Sequence, residues 1–166
     1  MDFRKSYWNE LGKLRAEILY LKSCQVALTD RTRSLQMCMA VIGSGSLASW
    51  TVWNDPISSN IWASIIVFTQ VVTVISPYLT WTTDAKAISD AIEQLNPIFH
   101  DMEATWVQVI MSSDSEEEEV RKLFSEFTKR INLVLDQNWT SISVKPNRGR
   151  RTKAIEDSKL YLKKYM

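Results

Sequence analysis

Tyr7, Leu11, Leu14, Ile18, Leu21, Gln25 and Leu28 recur in alternating steps of four and three. That spacing is a heptad seam and predicts one helix over residues 3–30. The same steps run on through Thr32, Leu35, Met39, Ile42, Ser46 and Ser49, so this helix is expected to continue unbroken into the next segment. A second four-three stripe joins Ile88, Ile92, Leu95, Phe99, Met102, Trp106 and Val109, with Pro97 set to kink it. Ser112 to Glu119 reads as a break and a restart, where Ser115 with Glu118 fits a capping box and Glu116 to Glu119 suits the positive end of a helix dipole. A helix over 115–139 follows, with Val120, Phe124, Phe127, Ile131 and Val134 as its seam. Ser143 to Gly149 reads as a linker, and 151–166 as a short basic helix with Ile155, Leu160 and Leu162 as its apolar residues.

Between the stripes the pattern changes. Ser34 to Asn54 and Pro56 to Thr83 carry no charge, and Asp55 alone separates them. Each stretch reaches the roughly 20 residues that a membrane-spanning helix needs. Asn54-Asp55-Pro56 is a turn signal. Trp50, Trp53 and Trp62 flank that turn, and Tyr78 with Trp81 marks the far end, as interfacial aromatics do. The fold class expected is therefore all-α: a membrane protein with a two-helix transmembrane hairpin and long cytoplasmic helices, oligomeric. The divisions expected are an N-terminal cytoplasmic helix (1–33), the hairpin (34–83), cytoplasmic helices (84–142), and a basic linker with the C-terminal helix (143–166). Both stretches are also dotted with Ser, Thr and Gln, and the alternative is that a protein free in water buries the hairpin as its core.

Lys and Arg set the orientation. Arg4, Lys5, Lys13, Arg15, Lys22, Arg31 and Arg33 precede the first uncharged stretch, the turn has none, and the remaining cations follow Thr83. The positive-inside rule then places both termini in the cytoplasm. The chain opens on charged, periodic residues, so no signal peptide is expected. A formal charge of +1 exerts no global pull toward nucleic acid. The mean hydropathy of −0.16 averages the uncharged stretches with charge-rich flanks. Cys24 and Cys38 lack metal-ligand spacing and read as reduced core or interface thiols. His100 is the lone histidine. No phosphate-cradling glycine loop, zinc spacing or nucleophile–His pair is present, so the expectation is no enzyme, no metal and no cofactor.

Two groups of residues carry candidate function. On a helical wheel Thr69, Thr73, Ser76 and Thr80 share a narrow sector, Gln70 sits beside it, Asp84 lies at one end and Ile66 at the other. In an oligomer these seven would line a pore, with hydroxyl rings, an acidic rim and an apolar constriction. The plainer reading is that the hydroxyls bond the carbonyl one turn back and only pack helices. Lys145, Arg148, Arg150, Arg151 and Lys153 form the densest basic cluster. It suits a nucleotide phosphate, an anionic lipid surface, or a solvated linker.

The layout of the uncharged stretches 34–54 and 56–83, the Asn54-Asp55-Pro56 turn and the helices after Asp84 resembles the SLATT-type two-transmembrane effectors of bacterial anti-phage defence, in CBASS-like and Hailong-type systems. The resemblance is one of architecture over most of the chain. It implies a pore or channel effector of the bacterial inner membrane, gated by a nucleotide or oligonucleotide signal, that depolarises the infected cell in abortive infection. It also implies membrane lipid, a homo-oligomer with a tetramer favoured, and a signal-producing nucleotidyltransferase as partners. The alternatives are a non-conducting membrane scaffold that recruits a partner through coiled coils, and a holin-like lysis protein.

Overall fold

The computed structural model describes residues 3–49, 56–75, 81–110, 117–139 and 146–165. Among the described residues every regular element is helical, as the all-α reading expects. The elements are α1 (Phe3–Ser49), α2 (Pro56–Ile75), α3 (Trp81–Thr105) with a π-helical turn (Trp106–Ile110), α4 (Glu117–Trp139), and α5 (Arg148–Leu162) with a 3-10 turn (Lys163–Tyr165). α1 is continuous, as the uninterrupted heptad steps predict. The chain divides into two compact units: Met1–Val26 with Asp84–Met166, and Ala27–Thr83.

The first unit is a helical bundle built on the predicted stripes. Tyr7, Leu11, Leu14, Ile18 and Leu21 of α1 are buried, and Cys24 joins them. Ile88, Leu95, Phe99 and Met102 of α3 and Val120, Phe127, Ile131 and Val134 of α4 are buried in turn. These positions recur every three or four residues, so each helix turns one apolar face inward. The Tyr7 ring stacks on Trp106 at 6.0 Å and meets Phe127 edge-on at 6.1 Å, tying α1, α3 and α4. Arg130 of α4 pairs with Asp101 of α3 at 3.1 Å on the outside. Pro97 sits inside α3 without ending it. It lies on the exposed side with Glu93, so the carbonyl that loses its amide partner has water available.

α5 departs from expectation. It begins at Arg148, not 151, because Asn147 caps it: the Arg150 amide donates to Asn147 Oδ1 at 3.1 Å. Its buried residues are Ala154, Ser158 and Leu162, whereas Ile155 and Leu160 are exposed. The cause is a close approach to α1. A Cβ on Gly12 would lie 3.3 Å from Leu162 Cδ1, and Ser158 Oγ donates to the Gly12 carbonyl at 2.8 Å. Small residues fit such a crossing and branched ones do not.

The second unit holds the rest of α1 and all of α2. Among the described residues no helix is long and apolar enough to cross a membrane. This overturns the expected transmembrane hairpin, and with it the multi-pass inner-membrane location with cytoplasmic termini. The physical reason is that an absence of charge is not apolarity. α2 holds Ser58, Ser59, Asn60, Ser64, Thr69, Gln70 and Thr73 within 20 residues. Each brings a polar side chain that hydrocarbon would have to desolvate, and a span needs about 20 predominantly apolar residues. Trp50, Trp53 and Tyr78 lie outside the described residues, and Trp81 is half-buried at the start of α3.

Candidate functional site

Ile66, Thr69, Gln70 and Thr73 fall on adjoining positions of α2 in the second unit. Thr69 is half-buried and the other three are exposed. Thr69 Oγ1 donates to the Ile65 carbonyl and Thr73 Oγ1 to the Thr69 carbonyl, each at 2.8 Å. Both hydroxyl protons are thus spent one turn back on their own helix. Ser76 and Thr80 lie outside the described residues. Asp84 belongs to the first unit, where it is 4% exposed in the opening turn of α3. The other side of α2 is apolar and open: Val67, Phe68, Val71, Val74 and Ile75 are 48–66% exposed. At 100° per residue these five occupy a sector of about 120°, and no residue of α2 carries a charge.

Of the basic cluster, Arg148, Arg150, Arg151 and Lys153 occupy the first two turns of α5, and Lys145 lies outside the described residues. The cluster is therefore helical, not a linker. Only Arg151 of these lines the cavity of about 820 Å³ that opens between α1, α4 and α5. Leu14, Ile131, Leu135, Ile155 and Leu162 make the apolar part of its wall, with Trp8 and Tyr20 along α1. Its charged residues are Glu10, Lys13 and Glu17 of α1 and Arg151, Lys159 and Lys163 from α5 and the 3-10 turn. Lys13 is bonded to Glu10 at 3.1 Å. Burial pushes the Glu17 carboxyl up, opposed by the nearby Arg151 charge. Burial likewise raises the Tyr20 phenol, whose oxygen accepts the Asn147 amide at 3.3 Å.

A polar knot fastens the C-terminal end to α3. Glu103 Oε1 accepts hydrogen bonds from Tyr165 at 2.6 Å and Tyr161 at 2.7 Å, and Lys164 Nζ lies 3.2 Å away. His100 Nδ1 is 3.7 Å from Oε2. Burial pushes the Glu103 carboxyl up, but the bonds from both phenols and Lys164 outweigh it and hold it below the usual range. Lys164 sits over the Tyr161 ring at 3.9 Å, and the Arg15 guanidinium over the same ring at 4.4 Å and Phe99 at 5.0 Å. Arg15 Nε is buried without a hydrogen-bond partner, as is Trp106 Nε1. Neither the knot nor the cavity was found by pattern. Tyr161 and Tyr165 four apart beside Lys164 mark one helical face, and that was the available signal.

Among the described residues no group of His, Cys, Asp and Glu is arranged to hold a metal ion. Cys24 is buried and Cys38 exposed, both as free thiols. No family model, curated protein or solved structure matches the chain.

Proposed function

We propose that this chain is a non-enzymatic assembly protein that associates with further copies of itself through the open side of α2. The observation that carries the reading is the run Val67, Phe68, Val71, Val74 and Ile75, exposed along one uncharged sector. Five such side chains leave on the order of 500 Å² of apolar surface open, within the roughly 300–600 Å² of the largest, often functional, patch that a monomer exposes. Two copies pairing the same sector would remove on the order of 1,000 Å² from water, which reaches the lower bound of specific interfaces. A two-fold pairing is also self-complementary without any charge to match. Light scattering after gel filtration tests it. The full chain should run as an oligomer, and Val71→Asp with Val74→Asp should reduce it to a monomer of unchanged helicity. A wild-type chain that is monomeric at every concentration reached would overturn the reading.

A second reading follows from the resemblance: a nucleotide or oligonucleotide signal, made by a partner nucleotidyltransferase, controls that assembly in anti-phage defence. It is favoured by Arg148, Arg150, Arg151 and Lys153 gathered at the positive end of α5. Calorimetric titration with a short oligonucleotide tests it. Affinity should fall with salt and be lost in Arg150→Glu with Arg151→Glu; binding that ignores both would sink it.

A further inference from the structure

The cavity between α1, α4 and α5 has a charge arrangement that the self-assembly reading does not use. Arg151, Ile155, Lys159 and Lys163 all line it, each four residues after the last. Residues four apart are neighbours on a helix face, about 6 Å along the axis. α5 and its 3-10 turn therefore edge the cavity with a row of three cations interrupted by one isoleucine. Across from it, α1 supplies the only two lining carboxylates among the described residues, Glu10 and Glu17. Glu10 is taken by Lys13 at 3.1 Å, and Glu17 lies within the field of Arg151. No lining carboxylate is left for Lys159 and Lys163.

We propose that this cavity binds a small amphiphilic anion, a molecule with one phosphate-like or carboxylate head and an apolar body. Lys159 and Lys163, one turn apart on the same edge, both reach the head. The body lies along Leu14, Ile131, Leu135 and Ile155, where it removes apolar wall from water. A volume of about 820 Å³ is that of a small-molecule site and falls within the usual range of roughly 300–1,000 Å³. A bare anion would leave the apolar wall wet, and an uncharged lipid would gain nothing from the two ammonium groups at its edge. Only a ligand with both parts matches both halves of the lining.

Calorimetric titration of the full chain with decyl phosphate, below the concentration at which it aggregates, tests the proposal. Inorganic phosphate and decanol serve as the two part-ligands. Decyl phosphate should bind at least roughly tenfold more tightly than either. Lys159→Gln with Lys163→Gln should weaken it by a similar factor while the circular dichroism stays unchanged, since both side chains are exposed. Ile155→Asn should weaken decyl phosphate and leave inorganic phosphate unaffected. Lys86→Gln, on α3 and outside the cavity lining, should bind as the wild type does. Equal affinity for decyl phosphate and inorganic phosphate would overturn the proposal. So would an unchanged affinity in the double lysine variant, which would place the amphiphile elsewhere, for example on the open side of α2.

Discussion

The Tyr7 hydroxyl donates to the carbonyl of Met102 at 3.0 Å, and 95 positions separate the two residues. Both are wholly buried. The fourth residue after Met102 is Trp106, where α3 gives way to the π-helical turn. The i→i+4 ladder changes register there, and carbonyls at such a change need donors from outside the helix. Tyr7 supplies one from α1. Burial also raises its phenol well above the ordinary range, so it stays protonated and able to donate.

Tyr7→Phe should therefore cost about 1–2 kcal/mol, the price of a buried carbonyl left without a partner. The ring contacts with Trp106 and Phe127 survive in the variant, so packing loss is small. Urea denaturation should show a lower midpoint at unchanged slope. A variant as stable as the wild type would mean that another group satisfies Met102.

The α1–α5 crossing sets two opposing effects at Gly12. Alanine removes the helix-interior cost of glycine, about 1 kcal/mol. Its Cβ would meet Leu162 Cδ1 at 3.3 Å, the flexible end of a side chain that has to move only a few tenths of an ångström. Gly12→Ala should thus lie within about 0.5 kcal/mol of the wild type. Gly12→Leu cannot fit and should lift α5 from α1. Trypsin would then cut rapidly among Arg148, Arg150 and Arg151, which the wild type presents on a docked helix.

Much of the first unit was legible because its signal is periodic. Tyr7 to Leu21, Ile88 to Met102 and Val120 to Val134 are faces that water drives inward, and spacing alone identifies them. In the second unit the polar side chains are visible in the sequence, but the absence of charge was given more weight than they were. Length, interfacial aromatics and lack of charge favour a span for α2, and its Ser, Thr, Asn and Gln residues count against one. The α5 contacts were hidden for another reason. Ala154 and Ser158 are buried by how closely α1 passes at Gly12, a tertiary fact with no apolar period. Glu103 carries no signal in its local sequence, since its partners Tyr161 and Tyr165 are 58 and 62 residues away.

Asn147 sits in a stretch that reads as linker, yet its side chain fixes where α5 starts. Its carbonyl accepts the Arg151 amide at 3.1 Å, and its own amide bonds to Tyr20. Asn147→Ala keeps both backbone bonds and removes only the cap, so it should cost about 1 kcal/mol. Asn147→Asp retains an acceptor and adds a charge favourable to the helix dipole. It should match or exceed the wild type in thermal stability. If aspartate destabilises as much as alanine, the cap is not what holds this end.

Two carboxyls shift in opposite directions, and the sign of each gives the pH response. Glu103 is held below its ordinary value of 4.5 by the phenols and Lys164. Its contribution is full above that value and is lost as pH falls through the depressed folded one. Glu103→Gln should cost about 1–2 kcal/mol near neutral pH, and the gap to the wild type should close in acid below pH 4.5. Glu17 is raised from the same ordinary value by burial. Its contribution is present below that value and is lost as pH rises through the raised folded one. Glu17→Gln should consequently gain on the wild type as pH climbs above 4.5. Arg151, the charge it leaves behind, is exposed and loses little by becoming unpaired. Denaturation midpoints from acid to neutral pH should show the two variants diverging from the wild type in opposite senses. Parallel curves for all three proteins would refute both assignments.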